Sequence, residues 1–338
     1  MGTERERPPL IVIGASAGGV EALSDLVADL PGELAAALAV VMHVAPSGTS
    51  VLPAILERAG KLSVRSAGHG VPIEPGCVYV APPDQHLIVE DGTLALRHGP
   101  RENGHRPAID PLFASAAEAF GPRAIGVVLT GTLDDGSSGL AAIKLRGGVA
   151  VVQDPSDALF SGMPASAIAR VAVDHVVPLS GLAPLLVDLV GRNPPMSDPP
   201  PDPPAQSESP GPELNAAPAM PAGEASGLSC PECSGSLWYV DDGASQRFRC
   251  RIGHAYSEQS LMQEQGRSLE IALWTALRAL EERAGLLRRM ARRARDAGHP
   301  KSADRFTEHA EELDARAAVV RDHIVPAAVE SEPEVASG

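Results

Sequence analysis

The chain has 338 residues, 44% of them hydrophobic, and 28 basic against 43 acidic side chains give it a formal net charge of -15. That length suits two domains and that apolar content builds a real core, while the acidic balance excludes a general phosphate-backbone binder, so nucleic acid is not an expected partner. No run of about 18 apolar residues occurs and the start MGTERERPPL carries both signs of charge, so neither membrane insertion nor secretion is expected and the expected location is cytoplasmic.

The first element is the apolar run LIVI (10–13), which leads into the turn GASAGG with Ser16 at its centre. A tight small-residue turn between strand and helix serves as a phosphate cradle or as the mount of a nucleophile. GVEALSDLVADL (19–30) reads as the helix that follows, and LAVVMHV (38–44) as the next strand, carrying His43 near its end. CVYVAPPDQHLIVEDGTLALRHG (77–99) contains two strand-like runs joined at Asp91-Gly92, an antiparallel hairpin added to the sheet, with Cys77 as a buried strand residue. AIGVVLTG (124–131) and GVAVVQD (148–154) supply further strands. Short continuous apolar strands alternating with helices predict an α/β fold, a doubly wound, mainly parallel sheet covered on both faces.

From Asn193 to Gly223 the chain holds 11 prolines and no aromatic residue, a composition that cannot bury enough surface to fold. The expected organisation is a catalytic domain over 1–190, a disordered linker over 191–228, a zinc-ribbon-like segment over 229–257, a helical hairpin over 258–325 and a disordered tail over 326–338. In CPECSGSLWYVDDGASQRFRCRIGHAYS (230–257), Cys230 and Cys233 form C-x-x-C and Cys250 with His254 forms C-x-x-x-H. A small hairpin between the pairs brings all four to one tetrahedral ion, a structural zinc; the alternative is an aromatic-anchored cluster of Trp238, Phe248 and Tyr256 with free thiols. Of the two helices beyond, the first carries Leu269, Leu273, Ala276, Leu277, Leu280, Ala284 and Leu287 on one face, and the second carries Phe306, Ala310, Leu313, Ala317 and Val320. These faces are expected to pack together, with a regulatory partner docked on the helices as the further expectation.

The turn at Ser16 can be tested against both chemistries. A dinucleotide fingerprint wants a glycine where Ser16 stands and an acidic residue at the end of the second strand, where the chain has His43. Residues 14–18 instead spell G-x-S-x-G, which presents a serine hydroxyl at the carboxyl edge of a sheet. A serine nucleophile needs a base, and His43 is placed to be one; the base needs an orienting carboxylate, and LTGTLDDGSSGL (129–140) offers Asp134 and Asp135 after another strand. The structural alternatives are a common α/β turn at Ser16, a core histidine at 43 and turn or capping roles for the aspartates. His175, inside VAVDHVVPL, is the rival histidine, with a structural role expected for it.

These segments resemble the catalytic domain of CheB-type protein-glutamate methylesterases over about residues 9–190. IVIGASAGGVEAL is similar to that family's serine turn, VMHVAP to its histidine segment, CVYVAPPDQHL to its hairpin, RPAIDPLFASAA (106–117) to its substrate-side segment, LTGTLDDGSSGL to its aspartate turn, and QDPSDALFSGMPASAI (153–168) continues the likeness. The resemblance implies Ser16 as nucleophile, His43 as general base and Asp135 as the carboxylate that orients it. It implies hydrolysis of glutamyl methyl esters on chemoreceptor-type signalling proteins with release of methanol, deamidation of receptor glutamines as a related activity, and no cofactor for catalysis. Ala17 stands where many relatives have threonine, and GTLDDG where G-M-G-x-D-G is frequent. The family's attached receiver domain is not expected ahead of Leu10, while a cysteine-containing tail accompanies some members. Two other classes stay open, a small-molecule esterase or amidase and a catalytically inactive signalling scaffold. Residues 1–191 are expected to fold and act without the tail.

Overall fold

The structure is a computed structural model that describes residues 8–46, 50–192, 223–241 and 245–327. Most of the expected linker (193–222) and the end of the expected tail (328–338) lie outside the described residues. The chain forms two compact units that meet in sequence at Leu261 and Met262.

In the first unit, β1 (Leu10–Ala15), α1 (Gly19–Asp29), β2 (Ala37–Met42), α2 (Leu52–Ala59) and β3 (Ser63–Ser66) open the fold. They are followed by β4 (Val71–Pro72), β5 (Cys77–Val80), β6 (His86–Glu90), β7 (Thr93–Arg97), α3 (Ile109–Phe120) and β8 (Ala124–Val128). Then come α4 (Ser137–Leu145), β9 (Val149–Gln153), α5 (Gly162–Arg170), β10 (His175–Val177) and α6 (Leu179–Arg192). Seven strands make one sheet in the order β10-β9-β8-β1-β2-β5-β3, with parallel pairing throughout.

Side chains alternate across each strand, so β1 sends Leu10 and Val12 to one face and Ile11 and Ile13 to the other. The first pair joins a core with Ile109, Leu112 and Phe113 of α3 and Leu140 of α4; the second joins Leu23 and Leu26 of α1 and Leu186 of α6. Each fully buried aliphatic side chain contributes about 1.5–3 kcal/mol, which is why such strands read as unbroken apolar runs. The chain builds β2, β5 and β3 on one side of β1 and β8, β9 and β10 on the other. Reversal beside β1 opens a crevice at the carboxyl ends of β1, β2 and β8, where this kind of sheet binds its ligands.

The segment 77–99 differs from its expected form. Cys77–Val80 is a parallel strand of the main sheet, whereas the hairpin joined at Asp91-Gly92 is β6–β7, which pairs with β4 in a separate three-stranded sheet. Asp91 and Gly92 both have positive φ, the two-residue turn whose twist suits a hairpin.

The chain resumes in a four-stranded antiparallel ribbon of β11 (Glu224–Ser229), β12 (Ser236–Asp241), β13 (Gln246–Cys250) and β14 (Ala255–Tyr256). Its first strand occupies residues expected to belong to the linker. Cys230, Leu237, Phe248, Cys250, Tyr256 and Leu261 form its small core. The ribbon is packed on the sheet domain: the Asn103 amide donates to the Ala255 carbonyl at 2.8 Å and Ser245 Oγ donates to Ser138 Oγ at 2.8 Å.

The second unit is a helical hairpin of α7 (Glu258–Asp296), most of which lies in it, and α8 (Pro300–Ala327). Leu277, Ala317 and Ile324 pack with Leu273, Leu280 and Val320. Arg295 pairs with Asp304 at 3.4 Å, and Arg288–Asp314 and Arg321–Glu281 fix the same antiparallel register. Because α8 is 28 residues against 39 in α7, the start of α7 has no α8 residue opposite it. Leu269, expected on the packed face, is accordingly exposed, and Ala276, also expected there, is exposed between Leu273 and Leu277, which do pack.

Candidate active site

Ser16 follows β1 directly, and its position is set from two sides. Its amide donates to the Thr130 carbonyl at 3.0 Å, and Gly18, with φ of 74°, turns the chain into α1 just beyond it. A hydroxyl reaches this turn from another element, since Thr130 Oγ1 donates to the Ala17 carbonyl at 3.0 Å and accepts from the Phe160 amide at 2.9 Å. Gly131 has no room for a side chain: a Cβ there would lie 2.1 Å from Met163 Sδ and 2.9 Å from Ser16 Cβ.

His43 lies one residue past β2, with its amide held by the Ala15 carbonyl at 3.2 Å. Its Nδ1 is 3.1 Å from Ser16 Oγ and its Nε2 is 2.7 Å from Asp135 Oδ2. A carboxylate only accepts, so Nε2 carries the proton and Nδ1 presents a lone pair to the serine hydroxyl. The ring of His105 stacks on His43 at 3.6 Å between centroids with planes 10° apart. This stacking and the hydrogen bond at Nε2 fix the imidazole plane.

Asp135 is 2% exposed and accepts from four groups besides His43: the amides of Ile109 at 2.7 Å, Asp110 at 3.3 Å and Gly136 at 3.1 Å, and Asn103 Nδ2 at 2.9 Å. Burial alone would raise its carboxyl, but His43 and the Ile109 amide outweigh burial and hold it well below the usual carboxylate range. The neighbouring Asp134 faces away from His43. It pairs with Arg170 and accepts from Ser257 Oγ at 2.7 Å. His175 is on edge strand β10, three strands from β1 and so about 14 Å or more from the serine turn, and takes no part.

Four neighbours of this arrangement are not marked by any catalytic pattern in the sequence. Asp110, 3% exposed, accepts from the Gly136 and Gly139 amides at 3.0 and 2.8 Å and from Asn103 Nδ2 at 3.0 Å. Burial pushes its carboxyl up to about 7, against the charge of Arg247. Asn103 has φ of 51°, and Asn103-Gly104 is a dipeptide that signals such a turn. Asp110 lies in the quoted segment RPAIDPLFASAA; for His105 and Arg247 the sequence holds no signal.

In the ribbon, Cys230, Cys233, Cys250 and His254 bring their ligand atoms within 4.8 Å of one another. Cys230 Sγ and Cys250 Sγ lie 3.6 and 3.5 Å from His254 Nδ1, and the Cys233 and Cys250 sulfurs are 3.6 Å apart. Zinc bonds of about 2.0–2.3 Å put tetrahedral ligand atoms roughly 3.3–3.8 Å apart, so the donor set fits that ion. His254 Nε2 is 3.1 Å from Glu232 Oε2, the outer carboxylate that orients many metal-binding histidines. Of the alternative aromatic cluster, Phe248 and Tyr256 are buried in the ribbon core and Trp238 is half-buried.

Comparison with known proteins covers the sheet domain. Residues 11–186 match the family described as CheB methylesterase. A Leptospira interrogans protein with the provisional name protein-glutamate methylesterase/protein-glutamine glutaminase is 41% identical over 184 residues, 54% of this chain and 95% of that protein. The protein-glutamate methylesterase FrzG of Myxococcus xanthus is 40% identical over 183 residues, and the match spans 54% of this chain and 55% of that protein. The crystal structure of the Thermotoga maritima CheB methylesterase catalytic domain aligns with a TM-score of 0.52 at 33% identity, over 54% of this chain and 98% of that one.

Proposed function

The chain belongs to the CheB methylesterase family, and from that membership we propose that it hydrolyses glutamyl methyl esters on chemoreceptor-type signalling proteins and deamidates glutamines at such positions. The observation that carries this reading is the continuous chain from Ser16 Oγ to His43 at 3.1 Å and from His43 to Asp135 at 2.7 Å.

Ser16 Oγ attacks the ester carbonyl carbon and passes its proton to His43 Nδ1. Asp135, ionised and acceptor-only, stabilises the imidazolium through Nε2–H. The electron pair of the carbonyl goes to oxygen, and amides at the amino end of α1 next to Ser16 are the donors available to that oxyanion. Collapse expels methanol, which takes the proton from Nδ1. Water, deprotonated by His43, then attacks the acyl-serine, freeing the glutamate carboxylate and returning the proton to Ser16. In the deamidation ammonia leaves in place of methanol, taking the same proton from Nδ1. His43 carries every proton moved in this cycle, Ser16 is the nucleophile and Asp135 steadies the imidazolium, so the cycle calls on no cofactor.

The ribbon holds a structural zinc through Cys230, Cys233, Cys250 and His254, supported by the fit of the donor set and by Glu232 behind the histidine. The division into a catalytic domain, linker, ribbon and helical hairpin belongs to the same reading. A regulatory partner docks on the hairpin, where Leu269, Ile271 and Trp274 are exposed. Among the described residues no helix is long and apolar enough to cross a membrane, in keeping with work on the cytoplasmic domains of receptors. Mass spectrometry of a methylated chemoreceptor incubated with the protein tests the substrate. Each methylated glutamate should lose the mass of one methylene, and a receptor left unchanged by protein with intact Ser16 contradicts the reading.

A further inference from the structure

Asn103 is held by the ribbon on one side and holds the catalytic carboxylate on the other. Its Oδ1 accepts from the Ser257 amide and Ser260 Oγ, both at 3.0 Å, and from Arg247 Nη2 at 3.3 Å. Three donors on the oxygen oblige the amide to turn its NH₂ toward Asp110 Oδ2 and Asp135 Oδ1, at 3.0 and 2.9 Å. The two carboxylates ask for the same orientation of the amide, and the donors on Oδ1 hold it in that place.

Arg247 also brings charge. Its guanidinium lies 3.4 Å from Asp110 and 3.1 Å from Glu102. Asp110 and Asp135 are two buried carboxylates that share Asn103 as a donor, and buried like charges need a compensating cation. Asp110 in turn accepts from the amides of Gly136, directly after Asp135, and of Gly139 in the first turn of α4, so its ionised form anchors the turn that presents Asp135 to His43.

Arg247 sits on β13, whose last residue is Cys250, and Ser257 follows β14 just beyond His254. Two members of the cysteine–histidine cluster, Cys250 and His254, thus lie within the stretch between Arg247 and Ser257, which hold Asn103.

We propose that Arg247 is a positioning residue of the esterase supplied by the ribbon: through Asn103 and Asp110 it fixes the Asp135 carboxylate against His43, and a metal on Cys230, Cys233, Cys250 and His254 keeps it there. The proposal rests on Ser16, His43 and Asp135 being the reacting groups. It makes esterase competence depend on the metal state of the ribbon, so that chelation turns the enzyme down.

The sign of a pH effect follows. The charged and titratable groups around Asp110 are Asp135, with His43 and His105 beyond it, Glu102 from the preceding loop and Arg247 from the ribbon. Of these, Asp135 and Glu102 raise the Asp110 carboxyl and Arg247 lowers it. Removing the arginine charge therefore extends protonated Asp110 to higher pH and carries the acid limb of activity upward.

The test measures the rate at which a fluorophosphonate labels Ser16 in the full-length protein across a pH series. Zinc content and melting temperature are recorded for every sample. Arg247→Met should label about tenfold more slowly at neutral pH, with the acid limb moved up, while keeping its zinc. Arg247→Lys should recover much of the rate, because it restores the charge. Removing zinc from the wild type with a chelator should reproduce the slow labelling, and added zinc should reverse it. A zinc-loaded Arg247→Met protein that labels within about twofold of wild type with an unmoved limb overturns the proposal, as does a zinc-free wild type that labels at full rate. Should Arg247→Met not fold, Ser260→Ala carries the test, since it loosens Asn103 but keeps every charge: a loss of about threefold or more supports the proposal and no loss overturns it. Wild type that labels yet leaves methylated receptor unchanged rejects the substrate reading alone. Wild type that does not label rejects both.

Discussion

Asp134 and Asp135 are adjacent in the chain and opposite in what they do. Asp135 meets His43 Nε2, while Asp134 is tied to Arg170 and Ser257. Asp135→Asn should lower kcat by on the order of 10³–10⁴, because an amide cannot stabilise the imidazolium and invites the wrong tautomer. Asp134→Asn should lower the melting temperature and leave kcat within about threefold, since it weakens the pairing of a buried carboxylate with a part-exposed arginine away from the base. Steady-state kinetics with thermal melts of both variants checks the pair, and equal losses of kcat would contradict the division. His43→Ala should abolish activity and His175→Ala should spare it. Asp110 gives a stability signature of opposite sign to that of Asp135. Its folded value of about 7 is raised, so the stability it contributes is complete below about pH 4 and is lost as pH rises toward 7, whereas Asp135, held low, stabilises above about pH 4 and loses its contribution as pH falls further. Asp110→Asn should flatten the dependence of melting temperature on pH between about 4 and 7.

At the scale of elements, the serine turn works because Gly131 leaves room beside it. Gly131→Ala forces a methyl between Met163 Sδ and Ser16 Cβ and should cost at least about tenfold in kcat together with a lower melting temperature. Unchanged kinetics would mean that the turn relaxes freely. The ribbon should bind one zinc per chain, and Cys230→Ser should lose it, as metal analysis will show. The strands of the sheet and the residues at their ends could be read from the sequence because both are local: an apolar run, a small-residue turn, then Ser16, His43 or Asp135. The hairpin at Asp91-Gly92 was legible too, but not its partner β4, since the choice of sheet depends on packing between segments. Arg247 and Asn103 are 144 residues apart and follow no shared spacing, so only the folded chain shows that one orients the other.

At the scale of the molecule, the sequence suggests an esterase followed, across a proline-rich stretch, by a tail with separate work. The structure places the ribbon in the same compact unit as the sheet domain and the helical hairpin in another. The proline-rich composition is legible, but composition carries no trace of where the chain beyond it returns. A protein ending after Leu261 should therefore keep its labelling rate within about twofold, whereas one ending after Gly191 should lose about tenfold, a comparison that a fluorophosphonate time course resolves. Equal rates would restore the sequence-based expectation of an independent domain 1–191. Ester hydrolysis at Ser16 on methylated protein glutamates is tested by the methanol released from methylated chemoreceptor by wild type and by Ser16→Ala. Wild type should release methanol in step with lost methyl esters, and the variant none above background. Equal release by both, or none by a folded wild type, would contradict it.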